Sequence, residues 1–197
     1  FIVLTLLSKN SKLVIKNINV NKSRTGIIDI LKKMNGKIIV RNIRKYKGED
    51  IGDIYVKSTP NLKSINCPKE MNSRAIDELP LIFLVSAKAR GTSYFRNIGE
   101  LKHKESDRLK LSFKFLKMIG IKVKSTSNSL KISGIPNLEI RKTYIIKNFM
   151  KDHRIFMLAC IASLVLGGTW KIHNKDSINT SFPEFLKILK KLGANLK

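Results

Sequence analysis

Three short segments of the chain are apolar at nearly every position. They lie at residues 1–7, 81–89 and 155–166. A helix that is apolar all round has no polar face to present to water, so we expect these segments to form helices buried within the fold. The longest has about twelve residues, whereas a helix needs roughly twenty to cross a bilayer. We therefore interpret it as a core helix and not as a membrane span.

The residues after each apolar segment follow one recurring order. An alternating, strand-like run closes on an asparagine, a polar loop comes next, and a helical pattern then ends at a glycine. The asparagines are Asn17, Asn97 and Asn174, and the glycines are Gly36, Gly120 and Gly193. We expect each glycine to end its helix before a further strand. This repeat predicts three similar units around a pseudo-threefold axis.

The same repeat indicates the fold class and the domain organisation. Buried helices surrounded by sheets correspond to an α+β fold. Because the chain contains no linker rich in Pro, Gly or Ser, we place no domain boundary within residues 1–197. The opening residues 1–7 have neither an initiator Met nor the basic stretch of a signal peptide. A chain that opens inside a hydrophobic run is expected to lack its upstream part.

The charge of the chain changes this picture only slightly. A net charge of +25 ordinarily suggests a polyanionic partner. The basic residues are mostly Lys, dispersed along the chain among abundant Ile and Asn, so we favour a biased composition combined with an anionic substrate over a nucleic-acid surface. Cys67 and Cys160 lie far apart and match no metal spacing, so we expect no disulfide framework and a reducing cytoplasm. Cys160 lies within an apolar run, which favours a buried thiol over a nucleophile.

Four segments concentrate polar residues just before helical patterns. They are DELP at 77–80, HKESDR at 103–108, DHR at 152–154 and TSFPEF at 180–185. Asp77 and Asp152 precede the second and third buried helices, where helix N-termini favour anions. The simpler alternatives are that both residues are N-caps and that Ser181 and Glu184 form a capping box. Because the loops of a threefold domain point to one end, we expect their charges to converge where an anionic substrate can bridge them.

The HKESDR segment carries the most specific chemistry. If it is helical, Lys104 and Arg108 share one face and Glu105 points roughly 100° away. A guanidinium group suits a planar carboxylate or a phosphate, and a glutamate between cations can exchange protons with a reacting centre. The alternative is ordinary surface pairing, which contributes only about 0.3 to 0.5 kcal/mol per pair.

Together the four segments resemble the C-terminal half of the 5-enolpyruvylshikimate-3-phosphate synthase family, the enolpyruvyl transferases of the shikimate pathway. The resemblance implies an inside-out α/β barrel of three βαβαββ-like units, with the first unit truncated at its N-terminus. It makes residues 1–197 the C-terminal domain of a two-domain enzyme whose N-terminal domain is absent. The implied reaction transfers the enolpyruvyl group of phosphoenolpyruvate to the 5-hydroxyl of shikimate 3-phosphate. No metal or organic cofactor is implied, and the full-length enzyme is expected to be a cytoplasmic monomer.

The resemblance also implies roles for five residues. Asp77 matches the aspartate that contacts the shikimate hydroxyls and accepts a proton, and Lys104 matches the lysine that reaches the reacting hydroxyl. Glu105 matches the glutamate that is the proposed proton donor to the methylene carbon. Arg108 and Arg154 match the two arginines that hold phosphoenolpyruvate. Fixed donors of this kind stabilise charge that develops in a dry site.

Departures from the family pattern and two alternatives complete the prediction. Thr180 stands where one branch of the family has a lysine. The basic residues and the Ser-Ser-Gln stretch that bind the shikimate phosphate belong to the second domain, so we expect no turnover by the chain alone.

A UDP-N-acetylglucosamine enolpyruvyl transferase shares the architecture, but its C-terminal half lacks KESDR followed by DHR. A basic nucleic-acid-binding module is disfavoured because acids flank Arg108 and Arg154 and would repel a phosphate backbone. We expect neither a nucleic-acid nor a membrane partner.

Overall fold

A computed structural model describes residues 1–196 of the chain. Its helices and strands, in chain order, are α1 (Ile2–Leu7), β1 (Lys12–Asn19), α2 (Gly26–Lys33), β2 (Lys37–Tyr46), β3 (Glu49–Lys57), α3 (Lys69–Arg74), α4 (Leu79–Lys88), β4 (Thr92–Arg96), α5 (Arg108–Met118), β5 (Lys122–Ser125), β6 (Ser129–Ser133), β7 (Thr143–Ile146), α6 (His153–Leu166), β8 (Thr169–Ile172) and α7 (Phe185–Lys191). Short 3-10 helices lie at Gly99–His103 and Lys175–Ile178.

The sheets repeat the same connectivity. β1, β2 and β3 form one antiparallel sheet in the order β1-β3-β2, and β4, β5 and β6 form a second in the order β4-β6-β5. In each sheet, a strand is followed by a helix and then by a hairpin whose second strand inserts between the other two. β7 and β8 form a third sheet, which is parallel. The repeat confirms the predicted α+β class with similar units.

The second and third units also share a leading segment before the buried helix. β7 precedes α6 and pairs with β8 in parallel. In the second unit, Lys63 and Asn66 precede α4 and form parallel bridges to Arg90 and Tyr94. The prediction of a strand after Gly193 is wrong for the residues that the structure describes, since 194–196 continue as irregular backbone.

The three apolar segments form the predicted buried helices α1, α4 and α6. They contact one another pairwise. Nearly every side chain of α4 is buried, because neighbouring helices and sheets surround it. On α4, Phe83 packs edge to face against Phe95 of β4, with ring centroids 4.9 Å apart, a geometry that aromatic rings prefer. Within residues 1–196, no helix is both long enough and apolar enough to cross a membrane.

The asparagine that closes each repeated run is in the left-handed backbone conformation. The φ angles of Asn17, Asn97 and Asn174 are 55°, 57° and 58°, a conformation that Asn tolerates better than most residues. At Asn97 and Asn174 the chain leaves its strand. At Asn17 it forms a bulge instead, and β1 continues to Asn19. The first strand is therefore longer than the pattern predicted.

The glycines after the outer helices do not all have one role. Gly120 and Gly193 have φ angles of 84° and 94°, which confirms them as left-handed helix stops. The prediction for Gly36 is wrong, because Asn35 occupies the left-handed position with a φ of 70°. Gly36 meets a different requirement: a Cβ atom there would lie 2.7 Å from the carbonyl oxygen of Leu31.

Candidate functional site

The five predicted site residues converge at one end of the domain, where α4, α5 and α6 begin. Asp77 lies two residues before α4. Lys104 and Glu105 lie in the loop between the 3-10 helix and α5, and Arg108 is the first residue of α5. Arg154 is the second residue of α6. Convergence of these loops at one end of the domain is therefore confirmed by the geometry.

The HKESDR segment forms the polar loop that the repeat predicted, with His103 as the last residue of the 3-10 helix and Arg108 as the first residue of α5. The 3-10 helix ends at His103, Lys104 is extended, and Asp107 caps α5 by accepting a hydrogen bond from Lys110 N at 2.9 Å. The cap fixes the start of α5 only at Arg108. Lys104 and Arg108 therefore meet because both side chains reach the Asp77 carboxylate, and not because they share a helical face.

Three cations surround the carboxylate of Asp77. Its Oδ1 accepts a hydrogen bond from Arg108 Nη1 at 3.1 Å and lies 3.9 Å from Lys104 Nζ. Its Oδ2 accepts from Arg154 Nη2 at 3.3 Å. The N-cap position of α4 belongs to Glu78, so the cap alternative is wrong for Asp77. Forty per cent of the Asp77 side chain is exposed, which leaves this carboxylate accessible to a ligand.

Asp152, at the equivalent position before α6, is completely buried. It is a true N-cap, since its Oδ1 accepts from Arg154 N at 2.9 Å and from Ile155 N at 3.3 Å. Its Oδ2 accepts from Arg108 Nε and Ser106 Oγ, both at 2.8 Å. Burial raises the pKa of this carboxyl, but the bonds from Arg108 and Ser106 outweigh burial, and the net pKa lies below its ordinary value.

Arg108 lies at the centre of a charged cluster, whose other members are Asp77, Lys104, Glu105, Asp152 and Arg154. Its side chain is only 3% exposed, and a buried charge requires partners. Nε binds Asp152, Nη1 binds Asp77, and Nη2 lies 3.4 Å from Glu105 Oε2. The guanidinium is thereby fixed in orientation, with the Nη atoms toward the two more exposed carboxylates.

Glu105 has a second partner, which sequence reasoning did not include among the site residues. His153 Nδ1 lies 2.8 Å from Glu105 Oε2. Oxygen and nitrogen atoms of Glu105, Asp152 and His153 lie within 4.8 Å of one another, a spacing that suits a metal ion. The guanidinium of Arg108 already contacts both carboxylates, so a metal would have to displace it.

Arg154 and Lys104 are each shared between two carboxylates. Arg154 Nη1 donates to Glu78 Oε1 and to the carbonyl oxygen of Asp77, both at 3.2 Å. Lys104 Nζ forms a close ion pair with Glu100 in addition to its contact with Asp77. Burial raises the pKa of Glu78, and the Arg154 charge only partly opposes this effect.

The TSFPEF segment reaches the edge of the cluster. Phe182 and Phe185 line a small cavity together with Asp77 and Arg154. The predicted capping box is wrong: Glu184 itself occupies the N-cap position of α7, and the Ser181 hydroxyl donates to Ile178 O at 3.5 Å. Thr180 is exposed and stands two residues before Phe182 in the sequence.

Several residues of the cluster were missed as site residues by sequence reasoning. Ser106 and His153 lie inside motifs that were recognised, next to predicted residues, and Glu78 follows Asp77 directly. Adjacency in sequence was their only signal. Glu100 offered none beyond its place four residues before Lys104, since such spacing is common on solvated surfaces.

The two cysteines lie outside the cluster. Burial raises the pKa of both the Cys67 and the Cys160 thiols to about 12. Thiols with such values remain protonated at neutral pH and are poor nucleophiles. The prediction of a buried thiol at Cys160 is therefore confirmed, and Cys67 is buried as well.

Comparisons with known proteins identify the family to which the chain belongs. Residues 1–189 match the family model of EPSP synthase (3-phosphoshikimate 1-carboxyvinyltransferase). The 3-phosphoshikimate 1-carboxyvinyltransferase of Thermodesulfovibrio yellowstonii is 36% identical over 192 residues, which are 98% of this chain and 44% of the relative. That of Thermoanaerobacter sp. is 39% identical over 187 residues, or 95% of this chain and 43% of the relative.

Solved structures give the same result. EPSP synthase from Acinetobacter baumannii superimposes with a TM-score of 0.89 and 33% identity, covering 96% of this chain and 43% of that one. The enolpyruvyl transferase NikO from Streptomyces tendae has a TM-score of 0.73 at 18% identity and supports the fold alone. The chain spans less than half the length of these relatives. The family model covers nearly all of it, however, and the chain therefore belongs to the EPSP synthase family.

Proposed function

We propose that this chain contributes to the transfer of the enolpyruvyl group of phosphoenolpyruvate to the 5-hydroxyl of shikimate 3-phosphate. The observation that carries the proposal is the arrangement around Asp77, whose carboxylate is held by Lys104, Arg108 and Arg154. A proton acceptor beside three cations suits the deprotonation of a hydroxyl that attacks a trianionic substrate. Family membership supports the same reaction.

Each site residue has a proposed role in an addition followed by an elimination. The 5-hydroxyl oxygen bonds to C2 of phosphoenolpyruvate while its proton passes to Asp77, with Lys104 near the reacting hydroxyl. The C3 methylene carbon takes a proton from Glu105. The bond from C2 to the phosphate oxygen then breaks, phosphate leaves, and Glu105 takes a proton back from C3. Arg108 and Arg154 bind the anionic groups of phosphoenolpyruvate.

The charges of the cluster indicate how an anion enters. Lys104, Arg108 and Arg154 are each paired with carboxylates, so a phosphate must replace some of those partners. The Glu100 side chain is 59% exposed and can turn toward water, whereas the buried Asp152 cannot. We propose that the substrate displaces Glu100 from Lys104, that Asp77 stays beside the reacting hydroxyl, and that Asp152 keeps Arg108 in place during the exchange.

We also propose that residues 1–197 constitute the C-terminal domain of a two-domain transferase. Support comes from the share of 43% to 44% of each relative that the chain covers. The substrates then lie between this domain and the part of the enzyme that the chain does not match. Exposed charges on one wall of an open cleft are screened by water and salt. The chain alone should bind phosphoenolpyruvate weakly, and moderate salt should abolish the binding.

Complementation tests the proposal. The chain is joined to the part of the Thermodesulfovibrio yellowstonii relative that it does not match, and phosphate release is measured with phosphoenolpyruvate and shikimate 3-phosphate. We expect turnover by this complemented protein, and none by the 197-residue chain alone. Arg154→Ala should weaken turnover, while Arg90→Ala, which lies beyond the other end of α4, serves as the matched control. Robust turnover by the chain alone would contradict the two-domain proposal. A folded complemented protein without turnover would contradict the proposed reaction.

A further inference from the structure

One carboxylate oxygen of Glu105 is shared by two donors. Oε2 lies 2.8 Å from His153 Nδ1 and 3.4 Å from Arg108 Nη2. The distance to His153 lies within hydrogen-bonding range, whereas the distance to Arg108 exceeds the usual range for a charged pair. The Glu105 carboxylate therefore lies closer to the imidazole ring than to the guanidinium.

The ring is the fixed member of the Glu105–His153 pair. His153 is the first residue of α6, directly after the buried cap Asp152, and its side chain is only 15% exposed. Glu105 lies in the loop before α5, and half of its side chain is exposed. A ring that is largely covered at the start of a capped helix has few alternative rotamers, and an exposed glutamate has many. The ring therefore determines where the carboxylate lies.

We propose that His153 is a positioning residue that keeps Glu105 away from Arg108. This inference rests on the proposed function, in which Glu105 exchanges a proton with substrate and Arg108 binds an anion. Without the Nδ1–H donor, the carboxylate closes on Arg108 Nη2 and forms the stronger charged pair. Two functions are then lost together: Glu105 leaves the reacting carbon, and the anion-binding edge of Arg108 becomes occupied.

Two variants of His153 distinguish the effect of losing the Nδ1–H donor from the effect of losing the volume of the ring. In His153→Asn, the amide Nδ2 replaces Nδ1 at a similar distance along the side chain and can still donate to Glu105. In His153→Leu, the side chain keeps apolar volume and loses the donor. We expect the Asn variant of the complemented protein to stay within about threefold of the parent. In the Leu variant, kcat should fall and the KM for phosphoenolpyruvate should rise, each by about tenfold, since bonds to charged groups are of this strength.

A double-mutant cycle tests the mechanism in which Glu105 competes for Arg108. Phosphoenolpyruvate is titrated into the 197-residue chain at low ionic strength, and the Arg108 Nε–H resonance reports binding. His153→Leu should weaken affinity at least threefold. In a Glu105→Gln background the same substitution should have no effect, because a neutral amide does not compete for Arg108. Equal losses in both backgrounds, or an Asn variant as impaired as the Leu variant, would overturn the proposal.

A third measurement does not depend on activity. The imidazole nitrogen resonances of His153 are recorded in the parent chain and in Glu105→Gln. A shift of Nδ1 that exceeds the shift of Nε2 supports the hydrogen bond, and an unchanged Nδ1 contradicts the positioning role whatever the turnover. Conversely, an intact bond in a chain that never binds phosphoenolpyruvate would contradict the proposed function and leave His153 as a structural partner alone. Melting curves of all variants identify any loss of folding.

Discussion

The N-terminal ends of α4 and α6 occupy equivalent positions in the repeat, yet the aspartates that precede them lie in opposite environments. Asp152 is buried, caps α6 and binds Arg108, whereas Asp77 is 40% exposed and faces three cations. The start of α6 is thus rigid and the start of α4 is accessible. The Arg108 guanidinium contacts the aspartate at each of them. Burial and capping favour a structural role for the first, and exposure among cations favours chemistry at the second.

The largest effect expected from this difference concerns stability. Asp152→Ala removes a cap and leaves the buried Arg108 without its Nε partner, which should lower the free energy of unfolding by about 3 to 5 kcal/mol. Asp77→Ala leaves Arg108 and Arg154 with other partners and should cost at most about 1 kcal/mol. Urea unfolding of both variants measures the difference.

The cap of α5 provides the control for that experiment. Asp107 accepts a hydrogen bond from Lys110 N and is partly exposed, so Asp107→Ala removes a cap without breaking a buried ion pair. Its expected cost is about 1 kcal/mol. If Asp152→Ala and Asp107→Ala were equally destabilising, the bond to Arg108 would contribute nothing and the contrast between the starts of α4 and α6 would fail.

Turnover, unlike stability, should depend more on the exposed Asp77 than on the buried Asp152. Asp77→Asn and Glu105→Gln keep the shape of the side chains and remove proton exchange, so kcat of the complemented protein should fall about a hundredfold or more with modest changes in KM. Steady-state kinetics with both substrates measures the effect. Parent-like turnover in both variants would show that neither carboxylate acts as acid or base.

The sequence predicted the architecture of the fold and the residues of the site, but it predicted the contacts among those residues less well. The buried helices follow from hydrophobicity alone, because helices that are apolar all round have only one stable location. The repeat predicted the loop at HKESDR, but the exact start of α5 could not be predicted, since it depends on the cap in which Asp107 accepts a hydrogen bond from Lys110 N. The contact between Asp77 and Lys104 joins segments that are distant in sequence.

The different roles of Asp77 and Asp152 could not be predicted for a similar reason. Asp77 lies two residues before one buried helix and Asp152 one residue before another, and the sequence pattern favours an N-cap in each case. The deciding feature is the position of Arg108, which reaches both carboxylates from α5. His153 was likewise recognisable only once Glu105 was placed opposite its ring.

Loss of Arg154 should reduce activity less than loss of either acid-base carboxylate. Arg154 lies on α6, and its side chain contacts Asp77 and Glu78 at the start of α4. Arg154→Ala should reduce kcat/KM for phosphoenolpyruvate about tenfold or more, because one charged hydrogen-bonding partner of the anion is lost. The KM for shikimate 3-phosphate should change little. Unchanged kinetics for phosphoenolpyruvate would remove Arg154 from the site, and Arg90→Ala again controls for the loss of a positive charge.

The smallest effect expected is on the pH dependence of stability, where the starts of α4 and α6 should contribute with opposite signs. The folded-state pKa of Asp152 is lowered, so its ionisation stabilises the fold above the ordinary carboxyl range, and this contribution is lost as pH falls through the folded pKa. The folded-state pKa of Glu78 is raised, chiefly by burial, so its contribution is present below the unfolded pKa and is lost as pH rises through the folded pKa. Asp152→Asn should therefore flatten the acid limb of the stability profile, and Glu78→Gln should flatten a decline on the neutral side of that range. Urea unfolding at a series of pH values measures both slopes. Slopes of the same sign for the two carboxyls would mean that the starts of α4 and α6 do not differ electrostatically.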